Sequence, residues 1–140
     1  MITWLLDTGP IVSYLSAGEP EHEQVAQCLD AFPGRLATTS AVITEAMHLV
    51  SAAPSGPALL AGFVEASGLT VHDPCQAPAL REATALMEKY RNLPMDFADA
   101  TLVLLSEAIE VPEILTLDRR GFTVYCTRDG KPFVLVLDEK

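Results

Sequence analysis

Ile2-Thr3-Trp4-Leu5-Leu6-Asp7-Thr8-Gly9-Pro10 begins as a mostly apolar run and ends in a carboxylate followed by turn residues. A short run of this kind, bounded by turn signals, predicts a buried strand, here Ile2–Leu6. Ile114-Leu115-Thr116-Leu117-Asp118 repeats the form near the other end of the chain, with Ile114–Leu117 as the strand. Between the two, helix-like and strand-like segments alternate. The fixed φ of Pro10 suits a first helical turn and predicts a helix to about Ser16. A second helix is expected over Pro20–Ala31, where Glu19, Glu21 and Glu23 favour the positive end of its dipole and Pro33-Gly34 stops it. Arg35–Thr38 reads as a strand, and Ser40 as the N-cap of a helix over Ala41–Ala52.

Pro54-Ser55-Gly56-Pro57 predicts a turn, then a helix over Ala58–Ala66 closed by Gly68. Leu69–His72 follows as a strand. Pro78–Arg91 carries Ala79, Leu80, Ala83, Leu86, Met87 and Tyr90 at helical spacing. Asp96 is placed to cap a further helix running to about Ile109. Phe122–Tyr125 is expected as a fifth strand. Asp129-Gly130, between Val124–Arg128 and Pro132–Leu137, is a two-residue hairpin signal. Such alternation predicts one α/β domain over residues 1–140, with a short, mainly parallel sheet flanked by helices and a C-terminal hairpin.

Open sheets of this type bind ligands beyond the carboxyl ends of their strands. Asp7 and Asp118 fall at two such ends. Glu45 and Asp99 fall in the first turns of helices that start at the same edge, with Asp96 as a fifth candidate. Like charges raise each other's pKa, so converging carboxylates need a reason to meet. A hard divalent cation, Mg²⁺ or Mn²⁺, supplies one. Asp7 and Asp99 are the expected holders of a shared ion, with Glu45 or Asp118 positioning an attacking water. Thr8 and Thr116 are candidate supporting hydroxyls. Arg119, Arg120 and Ser40 are candidates for holding phosphates.

The net charge of −10 argues against a general nucleic-acid coat, which needs a basic face, but leaves room for a nuclease or for a basic partner. Apolar residues make up 49%, enough for a real core, and no stretch reaches the ~20 apolar residues of a membrane span. No basic leader with a small-residue cleavage site precedes the first strand, so a cytoplasmic location is the expectation. Cys28, Cys75 and Cys126 show no paired spacing and read as buried free thiols. His22, His48 and His72 show no ligand spacing.

The chain resembles the PIN-domain ribonucleases, and within them the VapC-type toxins of toxin–antitoxin pairs. The segments that carry the resemblance are Leu5-Leu6-Asp7-Thr8-Gly9-Pro10, Thr44-Glu45, Pro94-Met95-Asp96-Phe97-Ala98-Asp99-Ala100 and Leu115-Thr116-Leu117-Asp118-Arg119-Arg120-Gly121-Phe122. Each alone is weak, whereas all four in order are specific. The resemblance implies a PIN-like α/β/α sandwich. It also implies a Mg²⁺- or Mn²⁺-dependent endoribonuclease with one or two ions per site, acting on single-stranded RNA, held by a small antitoxin protein and forming a homodimer. Asp7, Glu45, Asp99 and Asp118 match the family's four acids, and Asp96 an extra acid of one subgroup. Gly121 departs from the pattern, because many relatives carry Asp or Asn there.

Other readings fit less well. Dehalogenase-like phosphatases want Asp-x-Asp, but Gly9 holds the third position. Receiver domains want a lysine at a late strand end, and Lys89, Lys131 and Lys140 are badly placed for it. A non-catalytic RNA- or protein-binding member of the fold, or a metal-dependent phosphatase, are the remaining alternatives.

Overall fold

The computed structural model describes residues 1–138, so Lys140 lies outside the described residues. Five strands form one sheet: β1 (Thr3–Leu6), β2 (Arg35–Thr39), β3 (Thr70–His72), β4 (Glu113–Leu115) and β5 (Val134–Leu135), in the order β3-β2-β1-β4-β5. Every strand pairing is parallel, with Leu5 opposite Ala37 on one side and Ile114 on the other. Seven α-helices connect and flank them: α1 (Thr8–Leu15), α2 (His22–Ala31), α3 (Ser40–Val50), α4 (Gly56–Ser67), α5 (Ala77–Lys89), α6 (Phe97–Ile109) and α7 (Arg119–Phe122). This is the α/β architecture expected from the alternation.

The strand order places the site. From β1 the chain moves outward through β2 and β3, then returns past β1 to add β4 and β5 on the other side. The direction of winding therefore reverses between β1 and β4, and the connections leaving their carboxyl ends part to open a crevice. The strands beneath it are the most deeply buried: Leu5, Leu6, Ile114 and Leu115 are fully enclosed, together with Ile11, Val42, Ala46, Leu102 and Val103 of the helices around them.

Several boundaries differ from expectation for local reasons. α1 starts at Thr8, before Pro10, because the Asp7 carboxylate accepts from the Thr8 N–H and caps the helix. α2 starts at His22, two residues after Pro20. The cap of α3 is Thr39, not Ser40: Thr39 keeps the extended backbone of β2, and its hydroxyl accepts from the Val42 N–H at 3.3 Å. Gly68 closes α4 in the left-handed region at φ 66°, as a C-terminal glycine should.

The expected strand Phe122–Tyr125 is absent. Phe122 and Tyr125 are both buried and meet edge to face, with centroids 5.1 Å apart. That spacing of three is helical, and Asp118 starts the one-turn helix α7 by accepting from the Gly121 N–H at 3.0 Å. The Asp129-Gly130 turn does form, with Gly130 at φ 85°. It closes only one antiparallel bridge, Cys126 with Pro132, instead of a two-stranded hairpin. Pro132 has no N–H to donate, and the chain beyond it pairs in parallel with β4 as β5.

Candidate functional site: an acidic cleft at the switch point

Asp7 is held more firmly than any other residue of the cleft. It leaves β1 in an extended conformation, and its backbone N–H donates to the Leu115 carbonyl at 3.1 Å, which ties the ends of β1 and β4 together. One carboxylate oxygen accepts from the Thr8 N–H and the other from the Thr116 hydroxyl, both at 2.7 Å. The Thr116 hydroxyl in turn accepts from the Asp118 N–H at 3.0 Å. One buried threonine of β4's exit loop therefore fixes two of the acids.

Asp96 and Asp99 form a reciprocal pair at the start of α6. The Asp96 side chain accepts from the Asp99 N–H at 2.8 Å, and the Asp99 side chain from the Asp96 N–H at 3.2 Å. Asp96 is thus the cap, as its place after Pro94-Met95 suggested, but Asp99 shares the capping work. Asp96 is exposed and Asp99 half-buried. Glu45 approaches from α3, one and a half turns in. The starts of α3 and α6 are pinned together behind the acids: the Thr39 and Thr101 hydroxyls lie 2.8 Å apart, and Thr101 also donates to the Ala98 carbonyl at 2.6 Å.

All five acids line one open cleft of about 510 Å³, with Thr8, Gly9, Leu49, Leu93, Pro94, Leu117, Arg120 and Gly121. A second hollow of about 630 Å³ adjoins it and shares Glu45 and Asp96 as walls; Ser40 belongs to this neighbour. Arg120 is the cation of the acidic cleft. Arg119 does not line it: its guanidinium is taken by Asp138 at 2.9–3.0 Å on the exposed side.

Crowding and burial show in the protonation equilibria. Burial, offset in part by Thr116 and the Thr8 N–H and reinforced by Asp96 and Asp118, lifts Asp7 to about 6. Burial first, then the charges of Asp7 and Asp96, pushes Asp99 well above the carboxylate range. Glu45 is raised by burial and by Asp96 and Asp7. The buried Tyr125 phenol beneath the cleft is raised by burial and then by four of the acids, so it stays neutral. The cluster holds more protons than isolated carboxylates would, and a bound cation relieves that repulsion.

As the side chains stand, no three His, Cys, Asp or Glu groups among the described residues form a set that could hold a metal ion. The cause is visible in the hydrogen bonds: Asp96, Asp99 and Asp118 are turned to helix caps rather than to a common centre. Two features nevertheless fit a hard cation. Every anionic group that lines the cleft is a carboxylate, and no histidine or cysteine stands among them. The Thr8 hydroxyl, buried at its edge, is also without a hydrogen-bond partner, and a buried hydroxyl of that kind calls for water, ion or ligand.

Gly121 explains the departure noted in the sequence. A Cβ there would lie 2.6 Å from one Asp118 carboxylate oxygen and 2.7 Å from the Tyr125 ring. A larger side chain at this position has no room while Asp118 folds back over α7. Sequence reasoning missed this dependence, and it also missed the Thr39–Thr101 pin. Neither residue of that pin is titratable, and their meeting spans sixty-two positions.

A doubly wound parallel sheet with five carboxylates gathered at its switch point defines a class of α/β domain built around an acidic cleft. The chain belongs to the PIN domain family, whose model matches residues 4–126. It is 31% identical over 133 residues to Ribonuclease VapC26 of Mycobacterium tuberculosis, covering 94% of this chain and 98% of that protein. Among solved structures it is similar to VapC20 of the same organism, described as a Sarcin-Ricin loop cleaving toxin. That likeness has a TM-score of 0.73 at 15% identity, covering 88% of this chain and 96% of the other, and bears on the fold.

Proposed function

We propose that the chain is a divalent-metal-dependent endoribonuclease that cuts single-stranded RNA, and that it is the toxin of a toxin–antitoxin pair. The observation that carries this reading is the convergence of Asp7, Glu45, Asp96, Asp99 and Asp118 on one cleft at the switch point. The kinship with a VapC ribonuclease supports it. A cleft this negative repels an RNA backbone unless a cation stands between them. Asp7 and Asp99 would hold Mg²⁺ or Mn²⁺, with Glu45 and Asp118 completing one site or a pair. Bound there, the cation would supply Lewis acidity toward a phosphodiester oxygen and make a water acidic enough to lose its proton near neutral pH.

The remaining work falls to side chains of the chain itself. Thr116 and the Thr8 N–H keep both Asp7 oxygens aimed and partly offset the pKa rise caused by burial. Glu45 or Asp118 takes the proton of the attacking water. Arg120 offers its guanidinium to a phosphate oxygen at the cleft's edge. The described residues hold no helix long and apolar enough to cross a membrane. Half-exposed Leu49 on the cleft rim beside the acids suits an antitoxin segment that carries apolar residues and a cation. Exposed Leu59, Val71, Leu80 and Val124 leave apolar surface for a homodimer, which light scattering tests.

The deciding assay is cleavage of a single-stranded RNA with Mn²⁺ or Mg²⁺, with EDTA as control, beside a chromogenic phosphate monoester. RNA cleavage abolished by EDTA, with the ester intact, supports the reading. Ester hydrolysis without RNA cleavage replaces it with a phosphatase.

A further inference from the structure

Resting on the ribonuclease reading, we propose that the hollow adjoining the acidic cleft is a nucleobase pocket. It would receive a base of the same RNA strand whose phosphate enters the cleft, with Phe97 as the residue that sets base preference. The two depressions adjoin, with Glu45 and Asp96 in the wall of each, so a strand whose phosphate lies in one has the other within reach of a neighbouring base. At about 630 Å³ the hollow falls in the range of small-ligand sites.

Its chemistry differs from its neighbour's. Ala41, Ala98 and half-buried Phe97 give it an apolar wall. Half-buried Ser40 and exposed His48 put hydroxyl and imidazole groups at its edge. A phosphate would find only Glu45 and Asp96 for charged company there, and both repel it. A base is neutral, has a π-face for Phe97 and polar edges for Ser40 and His48. Phe97 is the first residue of α6, directly after the capping Asp96, so the element that positions the acids also fixes its backbone.

Cys75 lines the same hollow as an exposed free thiol, not the buried one expected from the sequence, and gives a direct readout of its occupancy. A base in the pocket should slow alkylation of Cys75 by a small reagent at least ~5-fold when single-stranded oligoribonucleotide and Mn²⁺ are added. Half-buried Cys126, away from the hollow, should react unchanged as internal reference. Phe97→Leu keeps apolar bulk but removes the π-face. It should raise KM for RNA about 10-fold, flatten the base preference beside the cut and leave kcat within about 3-fold. The Mn²⁺-induced rise in melting temperature should stay intact. Unprotected Cys75 in the wild type, or Phe97→Leu with wild-type KM and product ends, overturns the pocket. A wild type that cuts no single-stranded RNA rejects the ribonuclease reading instead, and Cys75 protection still reports on the pocket without cleavage.

Discussion

Asp7→Asn is the perturbation with the clearest expected sign. Asp7 is 6% exposed, and burial is the main cause of a pKa near 6. In the unfolded chain the group titrates at ~3.9. Between these values the folded protein binds a proton that the unfolded chain has released, so stability falls as pH rises from about 4 through about 6. The difference of roughly 2 units corresponds to about 3 kcal/mol lost by pH 7. Asparagine has no charge to bury, still accepts from the Thr8 N–H and can donate to the Thr116 oxygen. In EDTA the variant should therefore melt near the wild type at pH 4 and roughly 10 °C above it at pH 7, taking a few degrees per kcal/mol for a chain of this size. The loss of the Asp7 charge also relaxes Asp99, whose carboxyl Asp7 raises, so the gap at pH 7 is a lower bound.

Mn²⁺ should close most of that gap. An ion that binds only the folded wild type stabilises it by RT ln(1 + [L]/Kd), about 2.7 kcal/mol at a hundred times Kd. The variant should gain little. Scanning calorimetry of both proteins from pH 4 to 7, with EDTA or millimolar Mn²⁺, reads all four arms. A gap between variant and wild type that stays constant across pH refutes the burial argument for Asp7. An equal Mn²⁺ response in both proteins refutes its place at the cation.

Asp99→Asn should slow single-turnover RNA cleavage at least ~100-fold, and Asp96→Asn, which keeps a capping amide at an exposed position, at most roughly 10-fold; the reverse ranking would exchange their roles. Gly121→Ala should cost about 1–3 kcal/mol in denaturant unfolding because its methyl meets Asp118 and Tyr125, and cleavage should fall with it. Thr116→Val strips a hydrogen bond from Asp7 and leaves the Asp118 N–H without an acceptor; titration should show Mn²⁺ affinity weaker by about 10–100-fold. Arg120→Ala should raise KM for RNA, whereas Arg119→Ala, which breaks only an exposed pair with Asp138, should leave kinetics and stability nearly unchanged.

The sequence made the acids legible because each sits at a change of element. Asp7 ends an apolar run, Asp96 follows Pro94-Met95, and Asp118 follows Ile114–Leu117, so strand ends and helix starts could be read without knowing what pairs with what. The parallel α/β plan followed from the same alternation. The C-terminal quarter misled because Phe122 and Tyr125 are β-formers by composition, while the Asp118 cap and the small Gly121 settle that segment as a helical turn. Arg119 and Arg120 are adjacent and chemically equal; only the position of Asp138 separates the paired one from the one at the cleft. Contacts such as Thr39 with Thr101 join hydroxyls that no periodic pattern marks.

The overlap between capping and the acidic cluster follows from the fold. In a parallel sheet each strand hands over to a helix at its carboxyl edge, and each such helix exposes unpaired N–H groups there. Asp7 and Asp96 meet that need with nearly the same backbone, φ −89° with ψ 170° and φ −89° with ψ 178°. Aspartate is favoured at both positions as a cap alone, which is why any one of these motifs is weak as a sign of function. What caps do not require is convergence of several on one cleft, nor a buried Asp7 whose second oxygen is claimed by a threonine 109 positions away, in the loop that leaves β4. The two kinds of carboxylate then differ in freedom. Asp7 is locked on both oxygens, whereas Asp99 and Asp118 are held by single cap bonds worth about 1 kcal/mol each. One fixed carboxylate with several that can swing off their caps at small cost suits a cation that demands its own geometry, as Mg²⁺ does.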